Sequence, residues 1–280
     1  MVTDGTATDA ASHAASDAAT DAAEERAARP VKSAERTLAL LERLAEAREP
    51  LSVVDLHRAS GYPRSSLHQL LHTMAASGWI EMLQDGTHVS IGSRALVVGT
   101  AYLDRDRALP HALPVLERIR DETGYTAHYA RREGDRVLYL ATRETTESRR
   151  ATSRVGRQLP AHATSLGKAL LAELSPDERA AALGSGPLAA LTGNTVTDRR
   201  ALDAQLDAAH ERGYAHEREE NLLGVSCVAV SVGYRIPATD AISCSMPIER
   251  ATPAEAERVA GIIADHAGRL AQSLRSAGVR

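Results

Sequence analysis

The chain has 280 residues but no phenylalanine, and aromatic residues make up only 3% of it. Its hydrophobic core must therefore be built from Leu, Val, Ile and Ala, which supply most of the hydrophobic residues. Runs of about 18 apolar residues are also lacking, so the sequence predicts no membrane-spanning helix and no membrane partner. Because the N-terminus shows no basic start followed by an apolar stretch, we find no secretory signal and expect a cytoplasmic protein.

Cysteine is scarce, and the two cysteines lack the CxxC spacing of a metal or redox site. Two free thiols suit a reducing cytosol, and a disulfide between them is not expected. His128, His162, His210 and His216 are scattered without paired ligand spacing, and no HExxH, P-loop or GxGxxG motif occurs, so the sequence predicts no metal and no cofactor. An enzyme stays open as a rival only through scattered reactive groups, among them His162, Lys168, Glu219 and Glu220.

Excess positive charge is lacking as well, since the formal net charge is -4. Residues 1–30 hold six acids and two bases and no core-building side chains, so we expect a disordered tail there. Residues 31–92 hold six Lys/Arg and seven Asp/Glu. This balance argues against strong non-specific binding of nucleic acid, but it is compatible with specific binding by a dimer that places a few basic side chains well.

The most informative segment that the chain does contain lies between Ser52 and Ser77. Two short amphipathic helical patterns flank a break at Gly61-Tyr62. Ser52 is placed to cap the first helix, with Asp55 in the capping-box position, and Pro63 suits the first turn of the second. A helix-turn-helix has this arrangement, in which one helix braces a second that enters the DNA major groove.

Regular elements are also predicted around this segment. A preceding helix from Ser33 to Ala47 would bury Leu38, Leu41, Leu44 and Ala45 at helical spacing. Alternating residues at 79–83 and 88–91 surround Asp85-Gly86 and predict a hairpin, which would be the wing of a winged helix-turn-helix. A further helix from Ser93 to about Arg105 is rich in Leu, Val and Ala, which suits a linker that also pairs subunits.

The remainder mixes strands and helices without a strict βαβ repeat, which favours an α+β class. Helices are predicted at 110–123, in a segment that opens at Pro160 and runs through Leu174, at 177–183, at 198–212 and from about Thr252 to Arg275. Strands are predicted at 125–131, 136–142, 225–234 and 240–247. A polar loop from about Glu144 to Gln158 is rich in arginine.

Short motifs recur in order through both halves of the chain. The first part contains Val31-Lys32-Ser33, Pro63-Arg64-Ser65-Ser66-Leu67-His68-Gln69-Leu70-Leu71 and Ile91-Gly92. The second part contains Pro114-Val115-Leu116-Glu117, Glu122-Thr123-Gly124, Pro160-Ala161-His162-Ala163, Gly167-Lys168-Ala169-Leu170-Leu171-Ala172, Arg212-Gly213-Tyr214, Glu219-Glu220, Gly224, Cys227-Val228-Ala229, Ala241-Ile242-Ser243 and Pro247. In their order and spacing over about 240 residues, the motifs resemble the IclR family of bacterial transcriptional regulators.

The resemblance implies an α+β chain with an N-terminal winged helix-turn-helix domain, a helical linker and a C-terminal GAF-like α/β effector-binding domain. We assign residues 31–92, 93–108 and 109–280 to these parts. Such proteins are usually dimers or tetramers that bind palindromic double-stranded operators, and their effectors are often carboxylates or aromatic acids. The family often has Arg where Gln69 stands, and because Gln favours adenine, the operator preference of relatives is not carried over.

Candidate DNA-binding residues lie on the polar face of the second helix and in the wing. Arg and Gln reach base edges, whereas Ser and backbone amides at a helix start suit phosphates. The alternatives are a solvated helix face and a plain hairpin turn. The predicted DNA-binding residues are Arg64, Ser65, Ser66, His68, Gln69, His72, Thr87 and His88.

Candidate effector-binding residues come from two places. The amides of a helix beginning near Ala163, Ser165 and Gly167 attract an anion, and Gly167 allows close approach. The strand period puts Val225 with Cys227, and Cys244 with Met246, on shared faces. The resemblance places both groups around the ligand cavity, with Glu217 near its rim. The alternatives are core packing for the sulfur-containing residues and, for Gly167-Lys168, a tightly packed helix with the lysine in solvent.

These observations predict a ligand-responsive transcriptional regulator, which we expect to repress a metabolic or catabolic operon. A small metabolite, such as an organic acid, would bind the C-terminal domain and alter operator affinity. A partner-binding scaffold with weakened DNA binding is the alternative favoured by the near-neutral N-terminal module.

Overall fold

The computed structural model of the chain describes residues 31–47, 49–84, 86–145 and 155–280. It divides into two compact units, with the division between Ala101 and Tyr102. The predicted tail, Asp85 of the wing and the central part of the arginine-rich loop lie outside the described residues. Among the described residues, no helix has the length and apolar character needed to cross a membrane.

The first unit contains the helices and strands of a winged helix-turn-helix. In chain order they are α1 (Lys32–Glu46), β1 (Leu51–Ser52), α2 (Val53–Ser60), α3 (Arg64–Ala76), β2 (Ile80–Leu83) and β3 (His88–Ile91). A further helix, α4 (Ser93–Asp104), runs across the division between the units. The predicted hairpin is present, and β1 adds an unpredicted third strand, giving the antiparallel order β1-β3-β2.

Local capping sets the angle between α2 and α3. The Ser52 side chain accepts a hydrogen bond from the backbone N–H of Asp55 at 3.0 Å, as predicted. Gly61 has a φ of 66° and ends α2 in the left-handed conformation, which costs glycine little. The chain therefore turns sharply before α3 begins.

The core of this unit joins α1 to α3. Leu67 and Leu71 are buried together with Leu40 and Leu44 in one cluster. The predicted stripe on α1 is confirmed at Leu44 and at the half-buried Leu41. It is wrong at Leu38, which is 60% exposed, and it missed the buried Leu40.

The second unit is a six-stranded antiparallel sheet with helices on both faces, which confirms the α+β class. Its elements are α5 (Leu109–Thr123), β4 (Thr126–Glu133), β5 (Arg136–Arg143), β6 (Gln158–Pro160), a 3-10 turn (Ala161–Ala163), α6 (Ser165–Ala172), α7 (Pro176–Leu183), α8 (Arg199–Arg212), β7 (Ala215–Arg218), β8 (Val225–Ser231), β9 (Asp240–Pro247) and α9 (Pro253–Ser276). The strand order is β6-β5-β4-β9-β8-β7. The short edge strands β6 and β7 were not predicted, and β8 ends three residues earlier than expected.

The two faces of the sheet carry separate cores. One core packs α5 and α9 against side chains such as Val228 and Cys244, and the other packs α6 and α8 against side chains such as Ala229 and Ala241. In the pairing of β8 with β9, Val228 lies opposite Cys244 and Cys227 lies opposite Ser245. Because paired residues share a face and successive residues alternate, Cys227 and Cys244 are on opposite faces of the sheet.

Candidate nucleic-acid interface and effector site

The α3 helix has one buried and one exposed face. Leu67, Leu71 and Met74 are buried, and Leu70 is half-buried beside them. The other side of the helix carries the predicted DNA-binding side chains, and five of the six are exposed: Arg64, Ser65, His68, Gln69 and His72. Hydrophobic packing therefore fixes the helix while this polar face remains accessible.

Ser66 differs from the other predicted residues on α3. It is half-buried, and its hydroxyl accepts a hydrogen bond from the Arg36 guanidinium at 3.2 Å. The same guanidinium stacks over the Tyr62 ring at 4.8 Å. Ser66 therefore helps to tie α3 to α1.

The predicted wing residues lie in the same unit, in the hairpin formed by β2 and β3. Thr87 is exposed, and its hydroxyl donates to the Gln84 carbonyl at 2.8 Å and pairs with the His88 ring at 3.0 Å. The Thr87 carbonyl accepts from the N–H of Val53 at 2.9 Å, which joins the turn to the start of α2. The wing is thus held in place by the helix-turn-helix itself.

A group of polar side chains meets on the sheet face that carries α6 and α8. Cys227 lies between Glu217, with which it forms a side-chain hydrogen bond, and the Ser245 hydroxyl at 3.2 Å. His128 continues the chain of contacts, with one ring nitrogen 3.1 Å from Ser245 and the other 3.1 Å from Thr142. We call these five residues the polar cluster.

Burial changes the protonation of the polar cluster. It raises the pKa of Glu217 to about 7, although hydrogen bonds from Cys227 and from the Glu220 N–H favour the ionised form. Burial also raises the pKa of Cys227 and lowers that of His128 to about 4. The cluster therefore presents a neutral imidazole, a thiol, two hydroxyls and a carboxyl that titrates near neutral pH, which together can hydrogen-bond a small polar ligand.

The start of α6 lies on the same face, but Gly167 has another role there than the predicted one. Thr164 caps the helix by accepting from the Gly167 N–H at 3.0 Å, and Ala163 and Ser165 are buried. An ideal Cβ on Gly167 would lie 2.2 Å from the Ala161 carbonyl oxygen. The missing side chain therefore lets α6 pack closely on the preceding turn.

Lys168 is buried, in contrast to the predicted alternative that placed it in solvent. Only 1% of it is exposed, and its ammonium donates to the Glu220 carboxylate and to Gln205, the latter at 2.7 Å. Glu220 also donates its backbone N–H to the Glu217 carboxylate at 2.9 Å. Lys168 thus connects α6 and α8 with the segment after β7 that orients Glu217.

The predicted set of strand residues needs a correction. Val225 and Cys227 share the face of the polar cluster, but Cys244 and Met246 lie on the opposite face, fully buried in the core beneath α5 and α9. The Cys244 thiol is 3.8 Å from the Thr123 hydroxyl, at the end of α5. They therefore cannot share a site with Cys227.

Sequence reasoning also missed residues that the fold brings to the cluster. His128, Thr142 and Ser245 come from β4, β5 and β9, and the Tyr139 ring lies edge-on to His128 with 5.6 Å between the ring centres. Polar residues at alternate positions of these predicted strands were the available signal, because a strand face with several His, Ser and Thr side chains is unusual for a core.

Two family models match the chain. The model described as IclR helix-turn-helix domain matches residues 33–83, and the model described as bacterial transcriptional regulator IclR C-terminal matches residues 100–272. The first match lies within the predicted DNA-binding module, and the second begins inside the predicted linker and continues through most of the predicted effector-binding module.

Similar proteins extend this result over most of the chain. The transcriptional repressor IclR of Escherichia coli is 32% identical over 226 residues, which cover 79% of this chain and 82% of the relative. The acetate operon repressor of Salmonella typhimurium is 30% identical with the same coverage. Among solved structures, an IclR homolog from Microbacterium hydrocarbonoxydans complexed with 4-hydroxybenzoate has a TM-score of 0.71 at 28% identity, and the match covers 87% of this chain and 99% of that one.

Proposed function

Since the chain belongs to the IclR family of bacterial transcriptional regulators, we propose that it is a ligand-responsive repressor of a metabolic or catabolic operon. The observation that carries the proposal is the exposed polar face of α3, which is opposite a fully packed apolar face. The names of two relatives, a transcriptional repressor and an acetate operon repressor, support repression and a metabolic target.

We propose that the protein binds its operator through α3 and the wing. Arg64, Gln69 and His72 would reach base edges and Ser65 and His68 would contact the backbone, with Thr87 and His88 beside an adjacent groove. The small number of basic side chains on this face fits a dimer or tetramer on a palindromic operator, because two copies double the contacts with DNA. A regulator of this kind acts where the chromosome is, in the cytoplasm.

The proposed effector is a small organic acid that binds the polar cluster with Val225 and the start of α6 around it. The 4-hydroxybenzoate in a homologous structure supports an acid of this size. An acid meets Glu217 favourably when that carboxyl is protonated, because the neutral carboxyl donates a hydrogen bond where the ionised one would repel. The pKa of about 7 permits this near neutral pH.

We propose the module boundaries given by the sequence: DNA-binding residues 31–92, linker residues 93–108 and effector-binding residues 109–280. The end of β3 at Ile91 and the start of α5 at Leu109 support them. The family consists of regulators, and this supports a protein without catalytic activity.

DNA binding is tested by fluorescence anisotropy with DNA from upstream of the protein's own gene. We expect Arg64→Ala to weaken binding at least about tenfold, since it removes the one formal positive charge on the exposed face of α3. Arg43→Ala on α1 removes an exposed charge away from that face and serves as the control. If the wild-type protein fails to bind, the near-neutral module favours a partner-binding scaffold instead.

Effector binding is tested with two cysteine variants on opposite faces of the sheet. A thermal-shift screen of small organic acids identifies a ligand, and calorimetry then measures its affinity for Cys227→Val and Cys244→Val. We expect Cys227→Val to weaken binding at least about tenfold, because it removes the thiol between Glu217 and Ser245, and Cys244→Val to bind as the wild type does. Equal affinities in both variants would reject the polar cluster as the site.

A further inference from the structure

A cavity of about 490 Å³ lies in the effector-binding module, and its lining does not include the polar cluster. It lies between α8, β7 and the segment around Asn194. Its polar lining consists mainly of Lys168, Gln205, Arg212, His216, Arg218 and Glu220. A cavity of this size accommodates a small metabolite.

The lining is strongly positive in a chain that is negative overall. Three basic side chains, Lys168, Arg212 and Arg218, line it together with one carboxylate, Glu220. The chain as a whole carries a formal charge of -4. Cations that converge on a concave surface focus the potential and attract an anion.

Both arginines are held in position by single hydrogen bonds that leave other donors open. The Arg212 Nε donates to the Tyr214 carbonyl at 2.7 Å while its guanidinium stacks over the Tyr214 ring. The Arg218 Nη1 donates to the Ala251 carbonyl at 2.6 Å. Within the described part of the chain, the other N–H groups of both guanidinium ions have no hydrogen-bond partner. Positioned guanidinium groups bind carboxylate or phosphate through paired N–H donors.

His216 lines the cavity together with these cationic side chains. Its pKa is lowered to about 4, mainly by burial and then by the charges of Arg218, Arg212 and Lys168. Its Nε2 lies 2.8 Å from the Ser226 hydroxyl. The imidazole is therefore neutral and can exchange hydrogen bonds with a ligand without adding to the charge of the lining.

We propose that this cavity binds a small, multiply charged anion, a polycarboxylate or a phosphate compound, through Arg212 and Arg218. Gln205 and His216 add polar contacts at the wall, and Lys168 contributes charge although its ammonium is already paired with Glu220. This site is separate from the DNA-binding face and from the polar cluster.

The test is a calorimetric titration of the full-length protein at constant ionic strength, with citrate in one arm and inorganic phosphate in the other. Saturable binding of citrate alone assigns a carboxylate ligand, and binding of phosphate alone or of both assigns a phosphate-accepting site. We expect the double variant Arg212→Gln, Arg218→Gln to weaken binding at least about tenfold. The double variant Arg212→Lys, Arg218→Lys retains both charges, and we expect it to bind more tightly than the glutamine variant but less tightly than the wild type.

Two controls keep the result specific. Arg269→Gln removes an exposed charge on α9 that does not line the cavity, and we expect it to leave the affinity for the anion within about twofold of the wild type. Ser245→Ala alters the polar cluster at a residue that contacts Cys227 and His128 and no residue of the cavity wall, and we expect it to leave the anion bound. Because both arginines are exposed, we expect the double variant to retain the circular dichroism spectrum of the wild type. If the double variant does not fold, the single variant Arg218→Gln is titrated in its place.

The proposal is overturned by any of three results. Neither probe binds saturably, the double variant binds as tightly as the wild type, or Arg269→Gln loses as much affinity as the double variant. Loss of binding in Ser245→Ala would assign the anion to the polar cluster and would also overturn the proposal.

Discussion

The polar face of α3 and the polar cluster on the sheet differ in their access to water. The side chains of the α3 face are largely exposed, and the stability of the helix comes from apolar residues on its other side. In the polar cluster, Glu217 is 3% exposed and His128 is 2% exposed, and each depends on its neighbours for hydrogen bonds. Water solvates the first set, whereas the protein must satisfy the second.

This difference separates binding from stability in one region and joins them in the other. Substitutions on the exposed face of α3 are expected to change DNA affinity and leave the free energy of unfolding nearly unchanged. Substitutions at the polar cluster or beneath it are expected to change both, because each removed group leaves a buried partner unsatisfied.

The largest effect is expected at Gly167, where α6 packs on the turn before it. A methyl group there would overlap the Ala161 backbone, so Gly167→Ala should lower the free energy of unfolding by more than about 3 kcal/mol, measured by urea denaturation. Gly268→Ala on α9 is the matched control, since its Cβ meets nothing within 4 Å and the change should stabilise the helix by about 1 kcal/mol or less. Equal stability of the two variants would contradict the close packing.

The second effect concerns the pH dependence of stability. The pKa of Glu217 is raised to about 7 in the folded protein, so its contribution to stability is complete below the ordinary carboxyl pKa and is lost as pH rises through 7. Between pH 5 and 8 the wild type should therefore lose about 2–3 kcal/mol relative to Glu217→Gln in urea denaturation. Parallel pH profiles for the two proteins would mean that Glu217 is ionised throughout.

A smaller and more selective effect is expected at Gln69. If its amide reads adenine, Gln69→Ala should cost about 1–3 kcal/mol on the operator and much less on an operator changed at that base pair. Anisotropy titrations of both proteins on both DNAs measure this difference. A uniform loss on all sequences would show that Gln69 contacts the backbone instead.

The smallest effect is expected at the wing. Thr87→Ala removes an exposed hydrogen bond to Gln84 and should lower the stability of the DNA-binding module by about 0.5–1 kcal/mol, measured by thermal melting. We expect operator affinity to fall less than about threefold. If Thr87→Ala lowers operator affinity as much as Gln69→Ala does, the wing contributes as much to DNA binding as that residue of α3.

Local sequence was sufficient for the two faces of α3 but not for every buried residue of α1. The exposed and buried faces of α3 follow from helical periodicity within 13 residues. In α1, leucines occupy Leu38, Leu40, Leu41 and Leu44, so periodicity allows more than one buried stripe. Packing against α3 selects Leu40 and Leu44, and that choice depends on tertiary structure.

The polar cluster depends even more on distant pairing. The strand period tells which residues of β8 share a face, but only the register with β9 tells which of their neighbours join them. Cys227 faces Ser245, whereas a shift of one residue would have put it beside Cys244. The partner of Lys168 was equally hidden, because Glu220 is 52 residues away in the chain.

The buried ammonium of Lys168 also provides a natural chemical probe. The chain contains only two lysines, Lys32 and Lys168, and Lys32 is exposed at the start of α1. An amine-specific reagent would therefore modify Lys32 quickly and Lys168 only when α6 and α8 separate. Mass spectrometry of the two peptides would thus measure the rate of local opening of the effector-binding module, with the modification rate of Lys32 as the internal reference.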